Sequence, residues 1–216
     1  MDYSLSNLLR DDMPTKEKIM ICALDLFCKK GYAETSIRDI ATSVGITAGT
    51  IYGHYSSKDK LLQTMLNEYA ENTKDMFSKF DIAPILKEKP TGEGISLCLV
   101  LSISLLTKDV YYSNLVHLIH QEQHRNSLFG SFVLLRMQDT KDFVGRIFDF
   151  LKEMKVIKAD ADADLWGAFA YSVFHTISSC IAISISSKTP GYAIADIKQL
   201  FHHLFNAAIE TNKFVE

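Results

Sequence analysis

The chain has 216 residues, of which 47% are hydrophobic and 23% are charged, and its formal net charge is −3. This composition is typical of a globular protein of one or two domains, and it excludes a disordered or collagen-like chain. Four scattered cysteines without metal-type spacing favour reduced core thiols and a cytoplasmic protein.

The N-terminal residues 1–13 contain no positively charged start followed by an apolar core, so no secretory signal is predicted. They are expected to form a frayed arm. Thr15 predicts the N-cap of a first helix, whose apolar face includes Ile19 and Phe27. Gly31 is expected to end that helix.

The stretch from Thr35 to Lys58 predicts a helix-turn-helix. Ser36 and Asp39 have the spacing of a capping box, and they predict a helix over Ile37–Val44. Gly45 is expected to end this helix, because glycine adopts the left-handed conformation without steric cost.

A second short helix is predicted to follow, with Thr47 as its N-cap and a range of Ala48–Tyr55. Its first residues are too small to bury much area, and Ile51 is its clear anchor to a core. A helix with such a bare N-terminal end can approach a large partner, as the second helix of a DNA-binding helix-turn-helix does in the major groove. A helical corner without a ligand is the alternative at this point.

The local charge permits a DNA partner in spite of the acidic total. Between Met13 and Lys60, seven basic residues stand against five acidic ones, a balance of +2. This small excess predicts few phosphate contacts and a moderate dependence of binding on salt.

One set of residues keeps a common register along residues 19–62: Ala23, Leu26, Phe27, Gly31, Thr35, Ile40, Ala41, Gly45, Gly49, Thr50, Ile51, Tyr52, Tyr55, Ser57, Lys58, Leu61 and Leu62. In this set the stretch resembles the N-terminal DNA-binding domain of the TetR (tetracycline repressor) family of bacterial transcription regulators. The resemblance implies an all-α fold of about nine helices. It also implies an N-terminal arm over 1–13, a helix-turn-helix domain over 14–56 and a helical ligand-binding and dimerisation domain over 57–216.

The helix-turn-helix pattern and the resemblance together predict a set of DNA contacts. Tyr52, His54 and Lys58 are expected to donate to phosphates, while Arg38 and Thr50 contribute to specificity. An arm whose Arg10 touches DNA is an alternative to a frayed terminus. The predicted DNA-binding residues are Thr35, Ser36, Arg38, Thr47, Ala48, Gly49, Thr50, Tyr52, His54, Tyr55 and Lys58.

The remainder of the chain is also predicted to be helical. Ser57 caps a long helix that extends toward Phe80, and a polar stretch with Pro90, Gly92 and Gly94 marks a break. Further helical stretches are predicted over residues 95–107, 110–124, 129–157, 165–187 and 194–208.

The last two predicted helices suggest a subunit interface. Leu165–Ser187 has no Asp, Glu, Lys or Arg and is long enough to span a membrane. Its many hydroxyl groups and His175 would be costly in lipid, so a helix buried on all sides is favoured, without a membrane. With a coiled-coil-like seam in the last helix, and with the resemblance, this predicts a homodimer through Ser172, Thr176, Ser179, Ile197, Phe201, Leu204 and Ala208.

The resemblance also implies an apolar cavity for a drug-sized ligand in the larger domain. Candidate lining residues are Phe77, Tyr111, His117, His120, Phe129, Met137, Trp166 and Phe169. A metal on His117, His120 and His124, with Glu122 or a cysteine, is the alternative, but no second cluster completes a tetrahedral site. No metal and no cofactor are therefore predicted.

The predicted function is that of a repressor. It binds near-palindromic double-stranded operator DNA as a homodimer and releases the DNA when a small hydrophobic molecule binds the larger domain. Activation is an alternative sign of regulation. No phosphate-binding loop, nucleophile elbow or zinc-protease motif occurs, so no enzyme is predicted. The alternative classes are a membrane-associated protein, a ligand-binding helical protein, or a helical enzyme with an incidental helix-turn-helix.

Overall fold

The computed structural model describes residues 5–187 and 194–213, and side chains there except at 103, 106, 107, 177–187 and 194–198. The predicted all-α class is confirmed. Within the described ranges there are ten α-helices rather than about nine, preceded by a short 3-10 helix at Leu5–Leu8. The helices are α1 Thr15–Lys30, α2 Ile37–Val44, α3 Ala48–His54, α4 Lys58–Lys79, α5 Ala83–Glu88, α6 Gly92–Thr107, α7 Val110–Glu122, α8 Ser127–Glu153, α9 Ala163–Ser187 and α10 Ile194–Thr211.

The chain divides into two compact units. The first contains Met1–Asn72 and Leu106–Phe132, and the second contains Thr73–Leu105 and Val133–Glu216. The first unit thus joins the predicted helix-turn-helix to α7, which lies far from it in the sequence. The predicted functional division between residues 56 and 57 stays a prediction, because units of spatial contact need not be functional domains.

In the first unit, α1 supplies the central apolar face. Ile19, Leu24 and Phe27 are completely buried, and each contributes about 1.5–3 kcal/mol of transfer free energy. The N-cap of α1 is Pro14, whose carbonyl accepts the N–H groups of residues 17 and 18, so the predicted Thr15 cap is wrong. Leu5 is also buried, and its 3-10 helix packs against α1. The predicted arm thus contains a short helix at Leu5–Leu8, and its fraying stays a prediction.

Helix α7 packs against α1 in the same unit. Leu115, Leu118 and Ile119 are buried and form its apolar face. At one point of contact the thiol of Cys28 donates to the carbonyl of Asn114 over 3.6 Å. This packing brings the C-terminal end of α7 close to the helix-turn-helix.

In the second unit, α8 has an apolar face that is buried. Phe143, Ile147 and Leu151 are buried in one core, which also contains Phe201 and Phe205 of α10. Apolar spacing of three and four residues places these α8 side chains on one side of the helix. The short helix α5 follows α4 and contributes a buried leucine to this core. The predicted break is confirmed at Pro90, which lies between α5 and α6, but Gly92 and Gly94 already belong to α6.

Helices α8 and α9 approach closely at Gly167 in the second unit. A Cβ atom at Gly167 would lie 2.7 Å from the Cα atom of Lys141, so only glycine fits there. In the part of the chain that the structure describes, no helix has the length and apolar character needed to cross a membrane.

Candidate nucleic-acid interface

Helices α2 and α3 form the helix-turn-helix, and the predicted local structure is confirmed. The hydroxyl of Ser36 accepts the N–H of Asp39, and the Asp39 carboxylate accepts the N–H of Ser36 at 2.8 Å, which completes a capping box. Gly45 ends α2 in the left-handed conformation, with φ of 79°. Thr47 caps α3, whose last helical residue is His54, one before the predicted end.

Seven predicted DNA contacts are exposed on this motif. Tyr52 is 54% exposed, the largest apolar surface on α3. The hydroxyls of Thr47 and Thr50 lie 3.0 Å apart, and Thr47 also accepts the N–H of Thr50. Ala48 is half-buried beside them. We call the exposed residues the exposed set: Ser36, Arg38, Thr47, Gly49, Thr50, Tyr52 and His54.

Three further predicted contacts have partners inside the protein, and we call Thr35, Tyr55 and Lys58 the anchored set. Thr35 is 1% exposed, and its hydroxyl donates to the Gly31 carbonyl at 2.9 Å. Tyr55 is 2% exposed, and its hydroxyl donates to the Lys16 carbonyl at 3.3 Å. As direct DNA contacts these residues stay predictions, but the structure places their polar groups in internal bonds.

Lys58 has the most internal partners of this set. Its ammonium donates to the carbonyls of Tyr32, Thr35 and Ala33 at 2.7, 2.8 and 3.3 Å. It also lies 4.3 Å from the centroid of the Tyr32 ring, a cation–π contact. Lys58 therefore fixes the turn between α1 and α2 to the start of α4.

The electrostatics of the motif follow from these contacts. Hydrogen bonds from Ser36, followed by attraction from Lys30 at 3.7 Å, lower the pKa of Asp39. The capping carboxylate therefore stays ionised at neutral pH. Burial, and to a lesser extent the charge of Glu68, raise the pKa of Tyr55.

The predicted ligand-binding residues fall in both units. Tyr111, His117, His120 and Phe129 belong to the first unit, and Phe77, Met137, Trp166 and Phe169 belong to the second. Phe129 is completely buried and contacts the Tyr32 ring, with centroids 5.8 Å apart. Phe169 is 47% exposed on α9, which does not suit a residue that lines an enclosed cavity.

The predicted dimer residues have mixed environments. Phe201 and Ala208 are buried in the core of their own unit, and their part in a dimer interface stays a prediction. Leu204 is partly buried against that core, whereas Ser172 and Thr176 are exposed. The side chains of Ser179 and Ile197 lie outside the described part. Leu165, Phe169 and Leu200 are large exposed apolar residues on the last two helices, and sequence reasoning included none of them in the dimer interface.

His117 of α7, a candidate metal ligand, has a partner on its own helix. A ring nitrogen of His117 lies 2.9 Å from the side-chain nitrogen of Gln121, and burial lowers the pKa of His117. Glu122 instead accepts the N–H of Tyr32 at 3.2 Å. Among the described residues, no three His, Cys, Asp or Glu side chains are grouped to hold a metal ion.

Comparison with known proteins bears on the same N-terminal region. Residues 19–65 match a sequence family described as bacterial regulatory proteins, tetR family. The uncharacterised HTH-type transcriptional regulator YuxN of Bacillus subtilis is 45% identical over 62 residues, which cover 28% of this chain and 21% of YuxN. The HTH-type transcriptional repressor KstR2 of Mycolicibacterium smegmatis is 30% identical over 78 residues, which cover 36% of this chain and 38% of KstR2.

The similarity of fold extends further along the chain than the similarity of sequence. The structure of Salmonella enterica GusR is similar with a TM-score of 0.66 and 20% identity, over 91% of this chain and 98% of GusR. In contrast, the chain aligns with less than two-fifths of the length of the curated relatives named above. Residues 19–65 contain both the exposed set and the anchored set.

Proposed function

We propose that the chain is a DNA-binding transcriptional regulator of the TetR type rather than an enzyme, because residues 19–65 match the family of bacterial regulatory proteins, tetR family, and the fold is similar to that of GusR. The observation that carries the proposal is the contrast between the two sets of residues in the helix-turn-helix. The exposed set offers polar groups and a bare helix end, while the anchored set fixes the helices that carry them.

The N-terminal end of α3 fits the major groove. Ala48, Gly49 and Thr50 allow the backbone to approach base edges closely, as the first residues of a recognition helix must. Tyr52 and His54 then donate to phosphates beside the groove, and Arg38 adds a charged donor. Thr47 and Thr50 hold each other in place, so their hydroxyls enter the interface with a fixed orientation.

We assign Thr35, Tyr55 and Lys58 to positioning rather than to direct contact with DNA. Each of their polar groups has an internal partner, which a phosphate would have to replace. Breaking such a bond costs about 0.5–1.5 kcal/mol for a neutral pair and more for a charged one. DNA binding that leaves these bonds intact is therefore favoured.

A homodimer is the second part of the proposal. Leu165 and Phe169 are four residues apart on α9, and each exposes nearly half of its surface; Leu200 on α10 is similarly exposed. Covering these side chains in a subunit interface, together with Ser172 and Thr176, removes apolar surface from water. The two helix-turn-helix motifs would then bind half-sites about 34–36 Å apart on a near-palindromic operator.

The third part is regulation by a ligand, in the cytoplasm where operator DNA is accessible. KstR2 is a repressor by its name, and we propose the same sign of regulation here. A small, hydrophobic molecule that binds the helical region after the helix-turn-helix would release the DNA. It can do so only if it binds the released state more tightly than the DNA-bound state.

A gel-shift assay with the DNA that flanks the gene tests DNA binding. The wild-type chain is expected to shift this DNA at low salt, and Arg38→Ala is expected to weaken the shift. Lys87→Ala, which removes an exposed charge from α5, is the matched control and should bind as the wild type does. Failure of the wild-type chain to shift the DNA would overturn the proposal.

Light scattering after size-exclusion chromatography tests the dimer. A mass of twice 24.4 kDa is expected for the wild-type chain, and Phe169→Glu should shift it toward the monomer mass. Glu substitution at Leu135 is the matched control, since this leucine is 63% exposed on α8 and lies outside the proposed interface. A wild-type monomer at micromolar concentration would contradict the dimer.

A further inference from the structure

The turn between α1 and α2, from Gly31 to Thr35, is held by two helices of the first unit. On one side Lys58 of α4 donates to the carbonyls of Tyr32 and Thr35. On the other side the carboxylate of Glu122, the last residue of α7, accepts the N–H of Tyr32 at 3.2 Å. Tyr32 is therefore the residue where α4 and α7 meet the turn.

The side chain of Tyr32 strengthens this junction. Its ring is 5% exposed and contacts the rings of Phe27 in α1 and Phe129 in α8, with centroids 5.0 and 5.8 Å apart. Its hydroxyl donates to the carboxylate of Asp59. The position of Tyr32 therefore depends on four helices at once, and the N-cap of α2 follows it by only four residues.

A carboxylate at position 122 is costly unless it has a specific contact to make. Glu122 is 7% exposed, and a buried carboxylate must recover its lost hydration through hydrogen bonds. It also lies beside the C-terminal end of α1, where the helix dipole disfavours negative charge. Gly31 adopts φ of 87°, which L side chains rarely adopt, and a Cβ atom there would be in van der Waals contact with Oε1 of Glu122 at 3.4 Å.

We propose that Glu122 is a positioning residue for DNA binding, which holds the Gly31–Thr35 turn and thereby the start of α2 in the DNA-binding arrangement. The inference rests on the proposed function. Glu122 lies outside residues 19–65, so a residue beyond the family's matched segment sets the geometry within it. Any ligand that displaces the end of α7 would weaken DNA binding through this bond.

Two substitutions separate the reach of the side chain from its charge. Glu122→Asp keeps the charge but is one methylene too short to reach the N–H of Tyr32, and it is expected to bind the flanking DNA about tenfold more weakly. Glu122→Gln keeps both the length and an acceptor oxygen, and its affinity should stay within about threefold of the wild-type value. Hydrogen exchange at the Tyr32 amide should accelerate in the Asp variant and much less in the Gln variant.

A control variant separates positioning from general destabilisation. Ile147→Val removes one methylene from the core of the second unit and does not touch the turn. All variants are compared by fluorescence anisotropy at a temperature where thermal melts show them fully folded. The Val variant should bind DNA as the wild type does, even where its melting temperature falls as far as that of Glu122→Asp.

The outcomes of the two proposals are distinguishable. If the wild type binds DNA and Glu122→Asp binds equally well, the positioning role is overturned while the regulator function stands. The same conclusion follows if the Asp and Gln variants lose equal affinity. If the wild type binds no DNA but the Tyr32 amide exchanges faster in Glu122→Asp, the structural contact stands and the regulator function fails.

Discussion

Tyr52 and Tyr55 lie three residues apart at the end of one short helix, and the structure gives them opposite environments. Tyr52 is 54% exposed, whereas Tyr55 is 2% exposed and donates its hydroxyl to the carbonyl of Lys16. Both residues fit a DNA-binding role by residue type. The difference shows that position relative to α1, rather than chemical type, separates a candidate DNA contact from a residue that supports the helix-turn-helix.

The same contrast holds for the two basic residues of the motif. Arg38 is exposed on α2, while the ammonium of Lys58 donates to three backbone carbonyls. Substitutions of exposed residues that cap no helix, such as Arg38 and Tyr52, should therefore change DNA affinity at constant stability. Substitutions in the anchored set should change stability first, and DNA affinity only through the geometry of the motif.

The largest effect on DNA affinity is expected for Tyr52→Ala. The loss of one charge-assisted hydrogen bond to phosphate in each half of a dimer costs about 3 kcal/mol, or about 100-fold in affinity. Because Tyr52 is exposed, the melting temperature should change by no more than about 2 °C. Fluorescence anisotropy with the flanking DNA and a thermal melt measure the two quantities.

Leu135→Ala is the matched control for this substitution. Leu135 is 63% exposed on α8, so truncation removes a large exposed side chain far from the helix-turn-helix in sequence. Its DNA affinity and melting temperature should equal those of the wild type. A Tyr52→Ala protein that binds DNA as tightly as Leu135→Ala would remove α3 from the proposed interface.

An intermediate effect is expected for Lys58→Met, and here stability should fall. The variant loses the ammonium that satisfies the carbonyls of Tyr32 and Thr35, at a cost of about 2 kcal/mol in the free energy of unfolding. Urea denaturation measures this loss. DNA affinity should fall as well, because the turn before α2 loses one of its two supports.

Lys60→Met provides the comparison on the same helix. Lys60 is exposed, and its ammonium lies 3.5 Å from the side-chain oxygen of Gln63. Little stability should therefore be lost in Lys60→Met. If Lys58→Met were as stable as Lys60→Met and still failed to bind DNA, Lys58 would be a direct phosphate contact. That result would favour the sequence-based prediction that Lys58 contacts a DNA phosphate over its positioning role.

The sequence predicted the helix-turn-helix well because its rules are local. Ser36 and Asp39 form the capping box at the expected spacing, and Gly45 ends α2 in the left-handed conformation. Thr47 then caps α3. Each of these features depends on residues within four positions of one another, so no knowledge of the fold is needed to find them.

Contacts between residues far apart in the sequence could not be predicted, because they depend on the fold rather than on local rules. Glu122 and Tyr32 are 90 residues apart, and no pattern around either residue indicates their bond. The spacing of Phe201 and Ala208 predicts a dimer interface, whereas the structure shows that both side chains already pack in the core of their own unit. Apolar spacing of three and four residues is the same for a helix that packs within a chain and one that packs between chains.

A smaller effect is expected for Tyr55→Phe, which removes only the hydroxyl bond to the carbonyl of Lys16. The free energy of unfolding should fall by about 1 kcal/mol while DNA affinity stays at the wild-type value. Urea denaturation and anisotropy measure the two quantities. A loss of DNA affinity without a loss of stability would return Tyr55 to the set of direct DNA contacts.

The smallest expected effect is the difference between the wild type and Tyr55→Phe in how the free energy of unfolding depends on pH. Burial raises the pKa of Tyr55 in the folded protein, so the folded state favours the neutral phenol. Its contribution to stability is fully present below the unfolded pKa of about 10 and is lost as pH rises toward the folded value. The wild type should therefore lose more stability than Tyr55→Phe between about pH 9 and about pH 10.5, because this range spans the unfolded pKa of tyrosine. If the urea midpoints of the wild type and Tyr55→Phe fell equally, burial would not raise the pKa of Tyr55. Its hydroxyl would then be accessible to a partner such as DNA.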